Sequence, residues 1–157
     1  MNQTAQGTKV YELFKKHLDD HKFKYEAYDD DHVLKMIVHG EDLPQPTVIR
    51  ILDDRDIVQI LSPLPCMMPE EKRVDAAVAV SVANYGLVVG NFDFDMRDGE
   101  IRFRVSMDFE GLELNDIAIK NLLSPVFVIT DRYNDRFFML GKGMITLEQF
   151  IEQENNG

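Results

Sequence analysis

Apolar residues between Thr8 and about Asp20 recur at helical spacing. Val10, Leu13, Phe14, His17 and Leu18 fall on one stripe, with Glu12, Lys15, Lys16 and Asp19 outside it, which predicts an amphipathic helix. Residues 1–7 before it read as a flexible polar tail. The period then drops to two. Phe23 to Tyr28 alternates as a short strand that the acidic run Asp29–Asp31 ends, and Val33 to His39 is a second strand. "GEDLPQP" predicts a loop, since neither proline can donate to a ladder. Thr47 to Leu52 and Ile57 to Leu61 predict two strands joined at the turn "DDRD".

"SPLPCMMP" reads as a connector. Pro69 to Tyr85 predicts a helix, with Pro69 at its start, Glu70 and Glu71 opposing the positive end of its dipole, and Gly86 ending it. A long helical segment runs from about Asn115 to Leu140. Pro125 inside it predicts a kink, or a second helix capped by Ser124. "TLEQ" at Thr146–Gln149 is a capping box for a short final helix. The expected fold is α+β, an antiparallel β-sheet packed by helices in the order α-β(3–4)-α-β-β-α(-α), with residues 8–157 as a single domain.

The stretch "GNFDFDMRDGEIRFRVSMDFEG" puts Asp93, Asp95, Asp98 and Glu100 close together. A calcium loop starting at Asp93 would place Arg97 at its fifth position, Asp98 where glycine is required and Arg104 at its twelfth, so the match fails. A hairpin with the two-residue turn Asp98-Gly99 accounts for the acids instead. In that register Arg97 faces Glu100, Asp95 faces Arg102 and Asp93 faces Arg104. Phe92, Phe94, Met96, Ile101, Phe103, Val105, Met107 and Phe109 then form a core face.

His17 and His21 lie at i, i+4 on one helix, but Leu18 stands where a zinc protease carries Glu. A two-His clip with Asp19 or Asp20 is the sharper reading and a pair of histidines at a helix end the plainer one. His32 and His39 show no ligand spacing. Cys66, followed by Met67 and Met68, has no neighbouring histidine to activate it and reads as a buried connector residue. No phosphate-binding loop, dinucleotide fingerprint or Ser nucleophile elbow occurs.

Composition narrows the function further. The chain has 157 residues, 45% of them apolar, enough for a core. A net charge of −11 with no Lys/Arg cluster sets it against nucleic acid and anionic membranes. No apolar run approaches the roughly 20 residues that span a bilayer. The N-terminus lacks a signal-peptide layout, and the single cysteine fits a reducing compartment, so the expected location is the cytoplasm.

Four stretches in order carry a family resemblance: "ILSPLPCMMPEEKRVDAAVAVSVANYGL", "VVGNFDFDMRDGEIRFRVSMDFEG", "LELNDIAIKNLL" and the aromatic helix through "DRYNDRFF". From about Ile57 to Leu140 the chain resembles the YbjN-like bacterial sensory transduction regulators, with Pro69-Glu70-Glu71, Asp98-Gly99 and the helix from Asn115 as the matching features. Pro125 departs from that pattern. The resemblance implies a type III secretion chaperone-like fold and a regulatory or chaperone-like role in binding another protein, usually as a dimer. It supplies no catalytic residues and no cofactor. The alternatives are a small-molecule or metal sensor, or an enzyme with a dispersed site.

Two candidate interfaces follow from patterning. Pairing the strands around Asp54-Arg55 puts Ile49, Ile51, Val58 and Ile60 on a core face. Val48, Leu52, Ile57 and Leu61 then lie on the opposite face beside only Arg50 and Gln59. An N-terminal strand or the C-terminal helix covering that face is the competing expectation. The run from Ala76 to Ala83 leaves the second half of its helix almost without a polar side. The helix is therefore expected to bury more than one face, meeting the sheet on one side and the long helix or another subunit on the other, with Ala79, Val80 and Ala83 as candidate interface residues.

Overall fold

Helix α1 spans Ala5–Asp20, capped by Thr4, whose side chain accepts from the Gly7 amide. Residues 5–7, expected in the tail, are thus its first turn. The computed structural model describes residues 3–41 and 43–156, so Met1 and Asn2 of the expected tail and Asp42 of the expected loop lie outside the described residues. The early start has a physical cause. The Thr4 amide donates to Asp53 Oδ1 at 2.9 Å, and Asp53 Oδ2 lies 2.9 Å from His32 Nδ1. His32, at φ 49°, stacks on the Tyr11 ring with 4.7 Å between centroids. These buried partners tie the helix start to the ends of two strands.

Strands β1 (Tyr25–Tyr28), β2 (Val33–His39), β3 (Pro44–Leu52) and β4 (Ile57–Met67) follow, then α2 (Arg73–Tyr85), β5 (Asn91–Phe94), β6 (Glu100–Asp108), α3 (Asp116–Gly141) and α4 (Leu147–Asn155). The six strands form one sheet in the order β1-β2-β3-β4-β6-β5, with every neighbouring pair antiparallel. This is the expected α+β arrangement of an antiparallel sheet packed by helices.

Two prolines expected in a loop belong to β3, and two more expected in a connector belong to β4. Pro44 and Pro46 pair with β2 where the β3–β4 ladder, which begins at Val48↔Leu61, has not started. Pro63 and Pro65 sit at the register irregularity between Pro63 and Met67. Each proline therefore occupies a position where a missing N–H costs no regular rung.

The β3–β4 hairpin has the expected register, from Val48↔Leu61 to Leu52↔Ile57. The β5–β6 hairpin does not. Phe92 pairs with Phe103 and Asp93 with Arg102, two residues displaced from an Asp98-Gly99 turn. Only Gly99 has positive φ, at 87°, so the type I′ geometry is absent. The loop is longer because two carboxylates bend it locally: Asp95 accepts from the Arg97 amide at 2.8 Å and Asp98 from the Glu100 amide at 2.9 Å. Gly99 O also accepts from Met68 N at 2.8 Å, and a Cβ on Gly99 would meet Met68 O at 2.2 Å. A shift of two preserves the faces, so Phe92, Ile101, Phe103 and Val105 still point inward, but Met96 is in the exposed loop.

All four helices pack on one side of the sheet. Val10, Phe14 and Leu18 of α1, Ala76, Ala79, Val80 and Ala83 of α2, Ile119 to Leu140 of α3 and Phe150 of α4 join the inward residues of β2, β3, β4, β5 and β6 in one core. Its centre is aromatic: Phe92 meets Phe103, Tyr133 and Phe137 edge-on at 5.1–5.2 Å. Helix α3 runs unbroken through Pro125. The carbonyl left without a partner there is that of Asn121, an exposed residue, so solvent can satisfy it. Asn115 caps α3, and the Thr146–Gln149 capping box of α4 is formed in both halves. At the sheet edge, Asn84 of α2 donates to Phe92 O at 3.0 Å and accepts from Phe92 N at 2.7 Å, occupying the outward backbone groups of Phe92 within the short strand β5.

Candidate protein-binding surface

Because every helix lies on one side, the other side of the sheet has no element of the described chain over it. Neither the N-terminal strands nor α4 covers it: β1 and β2 extend the sheet, and α4 packs into the core through Phe150. Val48, Leu52, Ile57 and Leu61 all lie on this open face. Three are half-buried, while Leu61 is 8% exposed yet stands outside the core cluster. Their shade comes from long neighbours in the sheet.

Those neighbours carry both signs: Lys35 pairs with Val48 and Asp108 with Ile57, while Glu26 pairs with Lys35 and Asp93 with Arg102. Strand β6 lies beside β4, so Arg104 pairs with Leu61 and Arg102 with Pro63. Arg102 Nε donates to Asp93 Oδ2 at 3.2 Å, and Arg104 Nη2 donates to Asp93 Oδ1 at 3.0 Å. Arg104 Nε is also 3.0 Å from Asp93 Oδ2, but it is not aligned for a hydrogen bond. One carboxylate thus serves two arginines, where the sequence pattern assigned it one. Arg50 has Gln59 as its side-chain partner among the described residues, with Nε and Nη2 donating to Oε1 at 2.9 and 2.5 Å. Burial first, and then the charges of Arg102 and Arg104, pull the Arg50 guanidinium below its ordinary range. Towards β1 the same face dips into a concavity of about 500 Å³ bounded by Lys24, Glu26, Lys35, Ile37, Pro46 and Val48.

The other expected interface residues are elsewhere. Ala79, Val80 and Ala83 are buried inside the chain, which removes them from any free surface. Helix α2 has one enclosed side, and its small residues let β5 and α4 approach. Its opposite side is bare: Val74 is 70% and Tyr85 96% exposed, Val78 lies between them, and Val88 just beyond is 97% exposed.

The remaining candidates are engaged locally. His17 is buried with Nδ1 2.6 Å from Asp116 Oδ1, and this contact holds the Asp116 carboxyl below the usual range. His21 stacks on His17 at 4.2 Å, with Nδ1 2.9 Å from the His17 carbonyl. Asp19 accepts from the Tyr25 hydroxyl and Asp20 pairs with Lys16, so neither turns towards the imidazoles. Among the described residues no group of three or more His, Cys, Asp or Glu side chains is placed to hold a metal ion. Cys66 is half-buried in β4, and burial pushes its thiol up, away from the reactive thiolate. No helix among the described residues is long and apolar enough to cross a membrane.

Three solved structures share this arrangement. SchA's complex, the HopA1–SchA chaperone–effector complex, contains a chain that is 11% identical, with a TM-score of 0.61 over 85% of this chain and 99% of that one. The crystal structure of YbjN from E. coli is 11% identical, with a TM-score of 0.59 over 80% of this chain and 92% of that one. A chain of the ExsC–ExsE complex is 11% identical, with a TM-score of 0.55 over 82% and 93%. At this identity the likeness establishes the fold, which is type III secretion chaperone-like. No curated protein matches the chain by sequence. The YbjN family model, described as "Putative bacterial sensory transduction regulator", matches residues 11–139, well over half of the chain, and the chain therefore belongs to the YbjN family.

Proposed function

We propose that the chain is a non-enzymatic protein-binding adaptor of the cytoplasm that works as a dimer. The observation that carries this reading is the open sheet face: four aliphatic side chains, Val48, Leu52, Ile57 and Leu61, with no element of the described chain above them. Family membership supports a regulatory role, and the solved complexes of similarly folded chains support a protein as the ligand. The face serves the partner protein. The bare side of α2 serves the second copy. Its centre, Val74, Ala77, Val78, Ser81 and Tyr85, has no charge, and its small residues admit a second helix closely. One stripe crossing its own copy about a two-fold axis is self-complementary.

The test is Leu52→Asp combined with Ile57→Lys. Wild-type protein and variant are compared by melting and by capture of proteins from extract of the native cells. The expected result is a variant that melts like the wild type and loses a protein that the wild type retains. A variant that unfolds would assign the face to the internal core, and one that keeps the captured protein would remove the face from the binding role. Light scattering reads the second copy: wild type is expected at dimer mass and Val78→Glu at monomer mass.

A further inference from the structure

The geometry points to the chemistry of the partner: the open sheet face takes an extended segment of another protein in which an aliphatic side chain fills the concavity beside Val48 and a carboxylate meets Arg50. This rests on the adaptor reading of the same face. Arg50 is the feature that demands it. A guanidinium carries five N–H donors in a planar fork, and Gln59 engages two of them through one oxygen. The remaining donors have no carboxylate of the described chain, although the group is half-buried and stands in the positive field of Arg102 and Arg104. A carboxylate fits that fork through paired hydrogen bonds and relieves the repulsion among the three arginines.

Spacing supplies the second half. Val48 and Arg50 are two residues apart on β3, about 7 Å along the strand. An extended partner repeats its side chains on one face at the same interval. An aliphatic residue in the concavity therefore places the residue two further on over Arg50. Charge supplies the selectivity. The chain carries −11 overall, and Glu26, Asp93, Glu100 and Asp108 share this face with Lys35, Arg50, Arg102 and Arg104. Asp93 and Glu100 pair with Arg102 and Arg104, which leaves Arg50 as the guanidinium of the face without a carboxylate among the described residues. A partner carboxylate is repelled by the acidic surroundings and drawn to Arg50. A nucleic acid does not fit, because its continuous line of phosphates would run on over the acidic surroundings.

The test uses two fluorescent peptides, one of alternating Leu and Glu and one of alternating Leu and Gln, titrated by anisotropy. Wild type is expected to bind the Glu peptide at least about tenfold more tightly than the Gln peptide. Arg50→Gln should erase that preference while melting like the wild type, and Arg50→Lys, which keeps the charge but not the fork, should keep only a minor part of it. Added salt should weaken the Glu peptide alone. Equal binding of both peptides, an unchanged preference in Arg50→Gln, or displacement of the Glu peptide by single-stranded DNA would each overturn the inference. So would a wild type that binds neither peptide. If it still captures a cellular protein that Leu52→Asp with Ile57→Lys loses, the adaptor reading stands and only the carboxylate requirement falls.

Discussion

The open sheet face and the bare side of α2 are both apolar, but they meet water differently. On the sheet, Val48, Leu52 and Ile57 are half-buried and Leu61 is buried, with Arg50, Gln59, Arg102 and Arg104 beside them on the same face. On α2, Val74 and Tyr85 stand clear with nothing over them, and Val88 continues the patch. A shaded face tolerates solvent and can be vacated, because its polar neighbours are hydrated when the partner leaves. An unshaded stripe gains most from permanent cover. Shading thus separates a surface suited to exchange from one suited to a lasting contact.

The sharpest break of that comparison comes from adjacent residues on opposite sides of α2. Ala79→Glu buries a carboxylate with no partner and should cost about 3 kcal/mol or more, read as a large loss of urea midpoint. Val78→Glu, one residue away but exposed, should keep the urea midpoint near wild type while lowering the mass in solution. If both variants unfold, α2 has no free side.

Reversing the arginines beside the aliphatics is the next largest effect. Arg102→Glu with Arg104→Glu places two like charges against Asp93 and should cost about 1–2 kcal/mol in chemical denaturation. Adding Asp93→Arg should restore part of this, whereas adding Asp95→Arg should not. Rescue by Asp95 would put the hairpin back in the register of a two-residue turn.

A smaller effect tests the support beside the α2 stripe. Burial, and then its hydrogen bond to Glu154 of α4, pushes the Tyr133 hydroxyl up to about 12 from its ordinary 10.0. A folded-state value above the unfolded one means stability that is complete below pH 10 and falls as pH rises from 10 towards 12. Tyr133→Phe should lose about 1 kcal/mol at neutral pH and show a shallower alkaline decline, measured by denaturation at a series of pH values. The smallest effect is Val88→Ser, expected within about 0.5 kcal/mol in stability yet weakening self-association measured by dilution.

Much of this was legible in the chain where local signals agree. Strand β2, the β3–β4 register and the α4 capping box each rest on a pattern that no neighbour contradicts. The β5–β6 register was not legible. The Asp98-Gly99 signal competes with side-chain turns at Asp95 and Asp98 and with a backbone bond from Met68, thirty-odd residues earlier in chain distance to Gly99. The aliphatic half of the open face was readable from alternation alone. Its charged half was not, because Arg102 and Arg104 reach Leu61 and Pro63 only through the adjacency of β4 and β6. The low polarity of α2 did not tell which side the chain itself encloses: Ala76, Ala79 and Ala83 are buried, whereas Val74, Val78 and Tyr85 are apolar and exposed.

The bond pair between Asn84 and Phe92 sets a limit on assembly. Growth of a fibril by strand addition needs two receptive edges on each molecule, one to give and one to receive. With the outward groups of Phe92 already held by a side chain of the same molecule, the β5 end of the sheet is closed to a further strand. Stacking through edges can then proceed only from β1, and two chains joined at that edge present no further end to a third.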